Sequence, residues 1–142
     1  MRISEILRKK GSDVVTIGPE ASVRELLAVL AEHNVGAVVV SADGVGIDGI
    51  VSERDIVRRL HKFGADLLER PVSDIMTAVV HTCTPDARVA SLRATMTEHR
   101  IRHLPVVSDG RMVGIVSIGD VVKSAISELQ TEREHLVQYL HG

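Results

Sequence analysis

Apolar residues along the first half of the chain follow two different rhythms. Val23, Leu26, Leu27 and Leu30 recur at the three-and-four spacing of one helical face. Ser22 with Glu25 just ahead of them is a capping-box pattern, so a helix starts there. The flanking apolar runs at 14–17 and 37–41 lack that spacing and predict strands, the first ending before Pro19. Asp43-Gly44 signals a turn, and GIVSERD at 49–55 reads as a strand running into a second helix, with Ile56, Val57 and Leu60 as its apolar stripe. The same order then returns. It predicts a strand at 79–82, Pro85, a helix capped by Asp86 with Val89, Leu92 and Met96 on one face, and a strand at 103–107. Asp109-Gly110 follows, and GIVSIGD at 114–120 leads into a helix bearing Val121, Val122, Ala125 and Ile126.

The recurrence is a duplication. Pro19, Val23 and Glu32-His33 reappear 66 residues later as Pro85, Val89 and Glu98-His99. After the turns the offset is 65, taking Gly49 to Gly114 and Asp55 to Asp120. A preamble at 3–7 is echoed at 72–76 with an offset of 69, so the first copy carries about four extra residues near Gly11. Each copy is β-α-β-β-α, with the first at 1–68, the second at 69–126 and a helical extension at 127–142. Units of this size bury too little surface to be comfortable alone. The expected fold is therefore α/β (α+β), two repeats packed with pseudo-twofold symmetry around shared clefts.

Composition narrows the function. Hydrophobic residues are 44% and charged residues 25% of the 142, ordinary for a globular protein. Phe63 and Tyr139 are the only aromatics besides histidine, which removes the stacking platforms of single-strand nucleic-acid binders. A net charge of −2 offers no general attraction to nucleic acid or anionic lipid. The opening MRISEILRKKG has no signal-peptide pattern and no apolar run reaches membrane-spanning length, so a cytoplasmic protein is expected. Cys83 is the single cysteine and reads first as a small strand residue, and His33 and His99 read as cations at helix C-termini. Neither a P-loop, a G-x-G-x-x-G, an H-E-x-x-H nor a nucleophile elbow occurs, so the chain is not expected to be an enzyme.

The repeated G-I-V-S-x-x-D carries the candidate chemistry. Five of its seven positions are shared between copies. Two readings are open. Asp55 and Asp120 could simply cap helices, with Ser52 and Ser117 as turn hydroxyls. Alternatively, a carboxylate at a strand-to-helix junction accepts both hydroxyls of a ribose, while the serine and free helix N–H groups hold phosphate. Arg54 would add a charge-assisted contact. Arg102 and His103 stand where the first copy has Gly36 and Ala37, so one copy offers cations and the other close backbone approach.

Through about residue 126 the chain resembles a tandem pair of cystathionine β-synthase (CBS) domains, or Bateman module. The likeness rests on the two prolines, EHNVGAVVV and EHRIRHLPVV, the DG hairpins, and GIVSERD with GIVSIGD. Singly these are weak; in order they are specific. The resemblance implies an adenosine-containing ligand (AMP, ADP, ATP, NAD or S-adenosylmethionine) in the cleft between copies, with no other cofactor required. Asp55 and Asp120 would hold ribose, and Ser52 and Ser117 would lie near ribose or phosphate. Thr16, Ile17, Gly36, Ala37 and Val38, with Thr82, Cys83, Arg102, His103 and Leu104, would surround adenine or phosphate. Gly36-Ala37 departs from the basic pattern, so unequal pockets are expected, and the small number of cations favours AMP or NAD. A regulatory module of this kind would act through an unidentified effector protein. The alternative is a structural dimerisation module with vestigial pockets. A homodimer is expected in either case. Residues 121–140 read as one long helix with Val122, Ile126, Leu129, Leu136 and Leu140 at seam-like spacing, either folded back on the core or meeting another chain.

Overall fold

A computed structural model describes residues 1–141. Helix α1 (Ile3–Lys10) precedes the first copy, which runs β1 (Thr16–Ile17), α2 (Val23–His33), β2 (Ala37–Val40), β3 (Gly49–Ser52) and α3 (Glu53–Phe63). Two 3-10 turns, Gly64–Glu69 and Val72–Asp74, lead to α4 (Val89–His99), β4 (His103–Ser108), β5 (Arg111–Ser117) and α5 (Ile118–His141). In the first sheet β1 pairs parallel with β2, and β2 antiparallel with β3. In the second, β4 and β5 form an antiparallel pair with a register shift after Val106. Mixed helix and strand in two similar halves is the α+β arrangement that the duplicated pattern predicts. Both first helices end alike, on Asn34 and Arg100 in the left-handed region at φ 51° and 54°.

Three local expectations are corrected. Residues 79–82 form no strand. Only Cys83 reaches β4, exchanging hydrogen bonds with Pro105 and Val107, while Thr77 pairs with Ile50 of β3 in the other copy. The segment between them is drawn across from one half to the other, and Val79 is 84% exposed. Asp86 does not cap α4; Arg88 holds that position, with no side-chain hydrogen bond. Finally, the helices after the motif do not carry a single apolar stripe. Ile56 and Val121 are buried, whereas Val57 and Val122 stand on the outer side. The long C-terminal helix does not fold back, and every described residue from Ile126 onward is exposed.

The two preambles are exchanged. Ile3 and Ile6 of α1 join the core of Val89, Leu92, Met96, Leu104, Val106 and Val116. Val72 and Ile75 join the core of Val23, Leu26, Leu30, Val38 and Val51. Backbone hydrogen bonds repeat the exchange. Ser4 N–H donates to the Pro85 carbonyl as Ser73 does to Pro19, Ile3 to Ala87 as Val72 to Ala21, and Val89 to Met1 as Val23 to Arg70.

This exchange explains the glycine of the repeated motif. A Cβ at Gly49 would lie 2.7 Å from Met76 Sδ and 2.8 Å from the Thr77 carbonyl oxygen. At Gly114 it would lie 2.6 Å from a methyl of Leu7, the residue equivalent to Met76. Leu7 ends in rotatable carbons, whereas Thr77 presents fixed backbone. Gly49→Ala should therefore destabilise the protein by about 1–3 kcal/mol through overpacking, and Gly114→Ala by less. Urea denaturation of both variants checks the ranking.

Candidate functional site

Each repeated motif folds as a reciprocal cap. The Ser52 N–H and hydroxyl both donate to Asp55 Oδ2, at 2.8 and 3.0 Å, and the Asp55 N–H donates back to Ser52 Oγ at 3.4 Å. In the second copy the Ser117 N–H donates to Asp120 Oδ2 at 2.9 Å, and the Asp120 N–H to Ser117 Oγ at 3.2 Å. Serine is thus the N-cap, and the aspartate sits at the third helical position as its partner. The local fold accounts for the recurrence of both residues. Where these caps open onto solvent decides what else they can do.

The cap of α3 opens onto a cleft of about 490 Å³ between the halves. Gly36, Ala37, Ser52, Arg54 and Asp55 line it from the first copy, and Arg102 and His103 from the second. Seven of the expected residues therefore share one cavity. Ile17, Val38 and Leu104 are buried, in the cores of their own halves. Thr16 lies in β1, Thr82 is exposed, and Cys83 packs partly buried on the second core; none of these lines the cleft. Ser117 and Asp120 lie elsewhere, with Asp120 facing a separate niche of about 170 Å³ beside α1.

Sequence reasoning missed part of the lining. Arg58, one turn beyond Arg54, and Arg100, in the left-handed position that ends α4, bring the guanidiniums to four. Their spacing was a usable signal for Arg58, whereas Arg100 reads as an ordinary helix end. Glu53 and Asp55 are the carboxylates of the cleft. Thr77, Val79, Val80 and His81 enter because their segment crosses between halves, and His81 stacks on His99 with ring centroids 4.3 Å apart. The expectation of few cations is corrected: four guanidiniums meet two carboxylates.

His103 contributes differently from Arg102. Burial, together with Lys10 and Arg102, holds its imidazole below the ordinary histidine value, against the opposing pull of Asp120 and Glu53. At neutral pH it is an uncharged donor or acceptor, and the permanent charge at that junction belongs to Arg102. Gly36 is not required by protein packing, since a Cβ there would find only ordinary contacts at 3.8 Å and beyond. Its smallness leaves room in the cleft.

Two α+β halves that begin a helix with the same serine–aspartate cap and meet at a cleft define a duplicated two-repeat module. The CBS domain family model matches residues 3–62 and 72–127, and the chain belongs to that family. It is 35% identical over 148 residues to the mitochondrial CBS domain-containing protein CBSX3 of Arabidopsis thaliana, spanning 99% of this chain and 72% of that one. The crystal structure of the CBS-domain protein ATU1752 from Agrobacterium tumefaciens is 44% identical with a TM-score of 0.85, over 88% of this chain and 99% of that one. The CBS domain protein PAE2072 from Pyrobaculum aerophilum, solved with AMP, is 31% identical with a TM-score of 0.79, over 92% and 99%. No helix among the described residues is long and apolar enough to cross a membrane.

Cys83 differs from a reactive thiol. Burial pushes its pKa up to about 11. At pH 8 the thiolate is then about one part in a thousand, against roughly a quarter for an ordinary cysteine near 8.5. Alkylation by iodoacetamide should run about two orders of magnitude slower than in the urea-unfolded chain. Equal rates would mean that the thiol is open to solvent.

Proposed function

We propose that the chain is a regulatory module that binds an adenine nucleotide in the cleft between its halves and passes the bound state to a partner protein. The observation that carries this reading is the meeting, in one cavity, of the Ser52–Asp55 cap with Arg102 and His103 of the other half. The hydrogen bonds found for the Asp55 carboxylate all fall on Oδ2, which leaves Oδ1 for ribose hydroxyls. The N–H groups of the first turn of α3 and the guanidiniums of Arg54, Arg58, Arg100 and Arg102 suit phosphate. A volume of about 490 Å³ is in the range of small-molecule sites. AMP in the Pyrobaculum aerophilum relative supports an adenosine ligand. AMP, ADP, ATP and NAD all meet these requirements, and four guanidiniums accommodate more phosphate than a sequence count of cations suggests.

A ligand gripped by both halves favours the relative orientation in which both grips are made. That population shift is the signal. Losing a charged hydrogen bond to ribose costs roughly 1.5–3 kcal/mol, so Asp55→Ala should weaken AMP binding about tenfold or more in titration calorimetry. Arg102→Ala should weaken ATP more than adenosine and flatten the salt dependence of ATP binding. Unchanged affinity in Asp55→Ala, in protein whose melting shows it folded, removes the site.

We also propose that the module assembles as a homodimer through its outer helices. Val57 on α3 and Val122 on α5 are equivalent positions in the repeat, and they are 68% and 50% exposed. Farther along α5, Ile126, Leu129, Leu136 and Leu140 are exposed as well. An apolar stripe of that extent is uncommon on a stable monomer, and twofold closure is the commonest way to cover one. This observation also supports the second reading, a dimerisation module whose cleft is unused. Light scattering on the full chain should give a dimer. A chain ending at Ser127 that dissociates places the contact in the α5 extension, and one that stays dimeric places it on Val57 and Val122. A monomeric full chain at micromolar concentration contradicts the proposal.

A further inference from the structure

The second motif shows a contact that the first lacks. Lys10 Nζ donates to Asp120 Oδ2 at 2.7 Å and to the Ile115 carbonyl at 3.0 Å. The route is set by α1. Leu7 packs against Gly114, and Lys10, three residues on and so on the same helical face, reaches the next residue of β5 and the start of α5. In the other half the matching preamble is helical only over Val72–Asp74. Residues 75–80, which follow it, include no lysine or arginine to pair with Asp55, and Val79 is 84% exposed. Two copies of one cap therefore have different neighbours. Asp55 opens onto about 490 Å³, whereas Asp120 borders about 170 Å³, below the usual size of a ligand pocket.

We infer that Lys10 is a built-in occupant of the second nucleotide position, limiting each chain to one nucleotide, bound at Asp55. The inference rests on the nucleotide reading of the Asp55 cleft. The ammonium bonds Asp120 Oδ2, the oxygen that the Ser117 N–H also meets, so its block on ribose is steric and electrostatic: the ammonium and the aliphatic stem from α1 occupy the space beside the carboxylate. Burial alone would raise the Asp120 carboxyl, but the Lys10 ammonium and the Ser117 groups outweigh it and hold the group below its ordinary value. Lys9 and Lys123 share the niche and repel the Lys10 ammonium; what holds Lys10 is the Asp120 carboxylate, for which it is the one ion-pair partner among the described residues.

Lys10 ends α1 outside both cores, with a third of its side chain exposed, so Lys10→Met leaves the fold in place. Calorimetry with AMP on the full chain should give one nucleotide per chain for wild type and two for Lys10→Met. Adding Asp120→Ala to Lys10→Met should return the count to one. A second readout needs no nucleotide: the Asp120 carboxyl carbon, followed by NMR, should titrate at higher pH in Lys10→Met than in wild type. Two nucleotides on wild type, or one on Lys10→Met, overturns the inference while the nucleotide reading stands. An Asp120 titration unmoved by the substitution also overturns it. If neither chain takes AMP, the nucleotide reading fails and the inference fails with it.

Discussion

The reciprocal clasp of the preambles is the constraint on which the molecule depends. Six backbone hydrogen bonds, three on each side, fasten the opening segment of each copy to the proline turn and helix start of the other. Each is worth only about 1 kcal/mol net. Their effect is larger than that sum, because they place Ile3 and Ile6 in one core and Val72 and Ile75 in the other. Neither half can complete its core from its own sequence. Halves of about 65 residues are marginal by surface-to-volume arithmetic, and the exchange turns two marginal units into one cooperative one. It also fixes the cleft, since Thr77 pairs with Ile50 directly beneath the segment that lines it.

Duplication supplies symmetry, and short departures from it supply chemistry. The same serine–aspartate cap starts α3 and α5, so local folding treats the two motifs alike. What differs is what surrounds them. Gly36 and Ala37 keep one strand entrance small, while Arg102 and His103 charge and fill the other. The extra turn of α1 brings Lys10 to Asp120, whereas the shorter preamble of the second copy leaves Asp55 facing space. A difference of about four residues near Gly11 therefore outweighs the identity of the motifs themselves.

Much of this was legible in the sequence because it rests on local patterns. The helix over Val23–His33, the strands at Ala37–Val40 and His103–Ser108, the turns and the repeat offset all follow from spacing and turn chemistry. The grouping of Gly36, Ser52, Asp55 and Arg102 was implied by the resemblance to CBS domain pairs, and spacing alone did not supply it. The failures share a different cause. Residues 79–82 have strand-like composition, but their hydrogen-bonding neighbours are split between two halves. Asp86 is a good cap residue two positions early. The Lys10–Asp120 pair spans 110 positions, and no periodicity encodes such a contact. Arg100 enters the cleft because α4 stops at a left-handed residue, a detail of backbone direction and not of pattern.

The position of the cap suggests how an occupied cleft reaches the surface. Ser52 and Asp55 fix the first turn of α3, and two residues further on Val57 faces solvent. A ligand held at the N-terminus of α3 would thus touch the same rigid helix that carries the outward apolar face. In the other half α5 begins at an equivalent cap and extends for 24 residues, about 36 Å at helical rise. A small rotation of one half against the other, pivoting on the clasp, moves the far end of such a lever several times as far as its root. With Lys10 fixing the root of α5 to α1, and α1 packed in the same core, that lever moves as one body with the second half. On the proposed nucleotide reading, the first half is the one whose cap would be free to respond to a ligand. An asymmetric pair can report occupancy as a change in the angle between α3 and α5, which a pair with two identical sites would partly cancel.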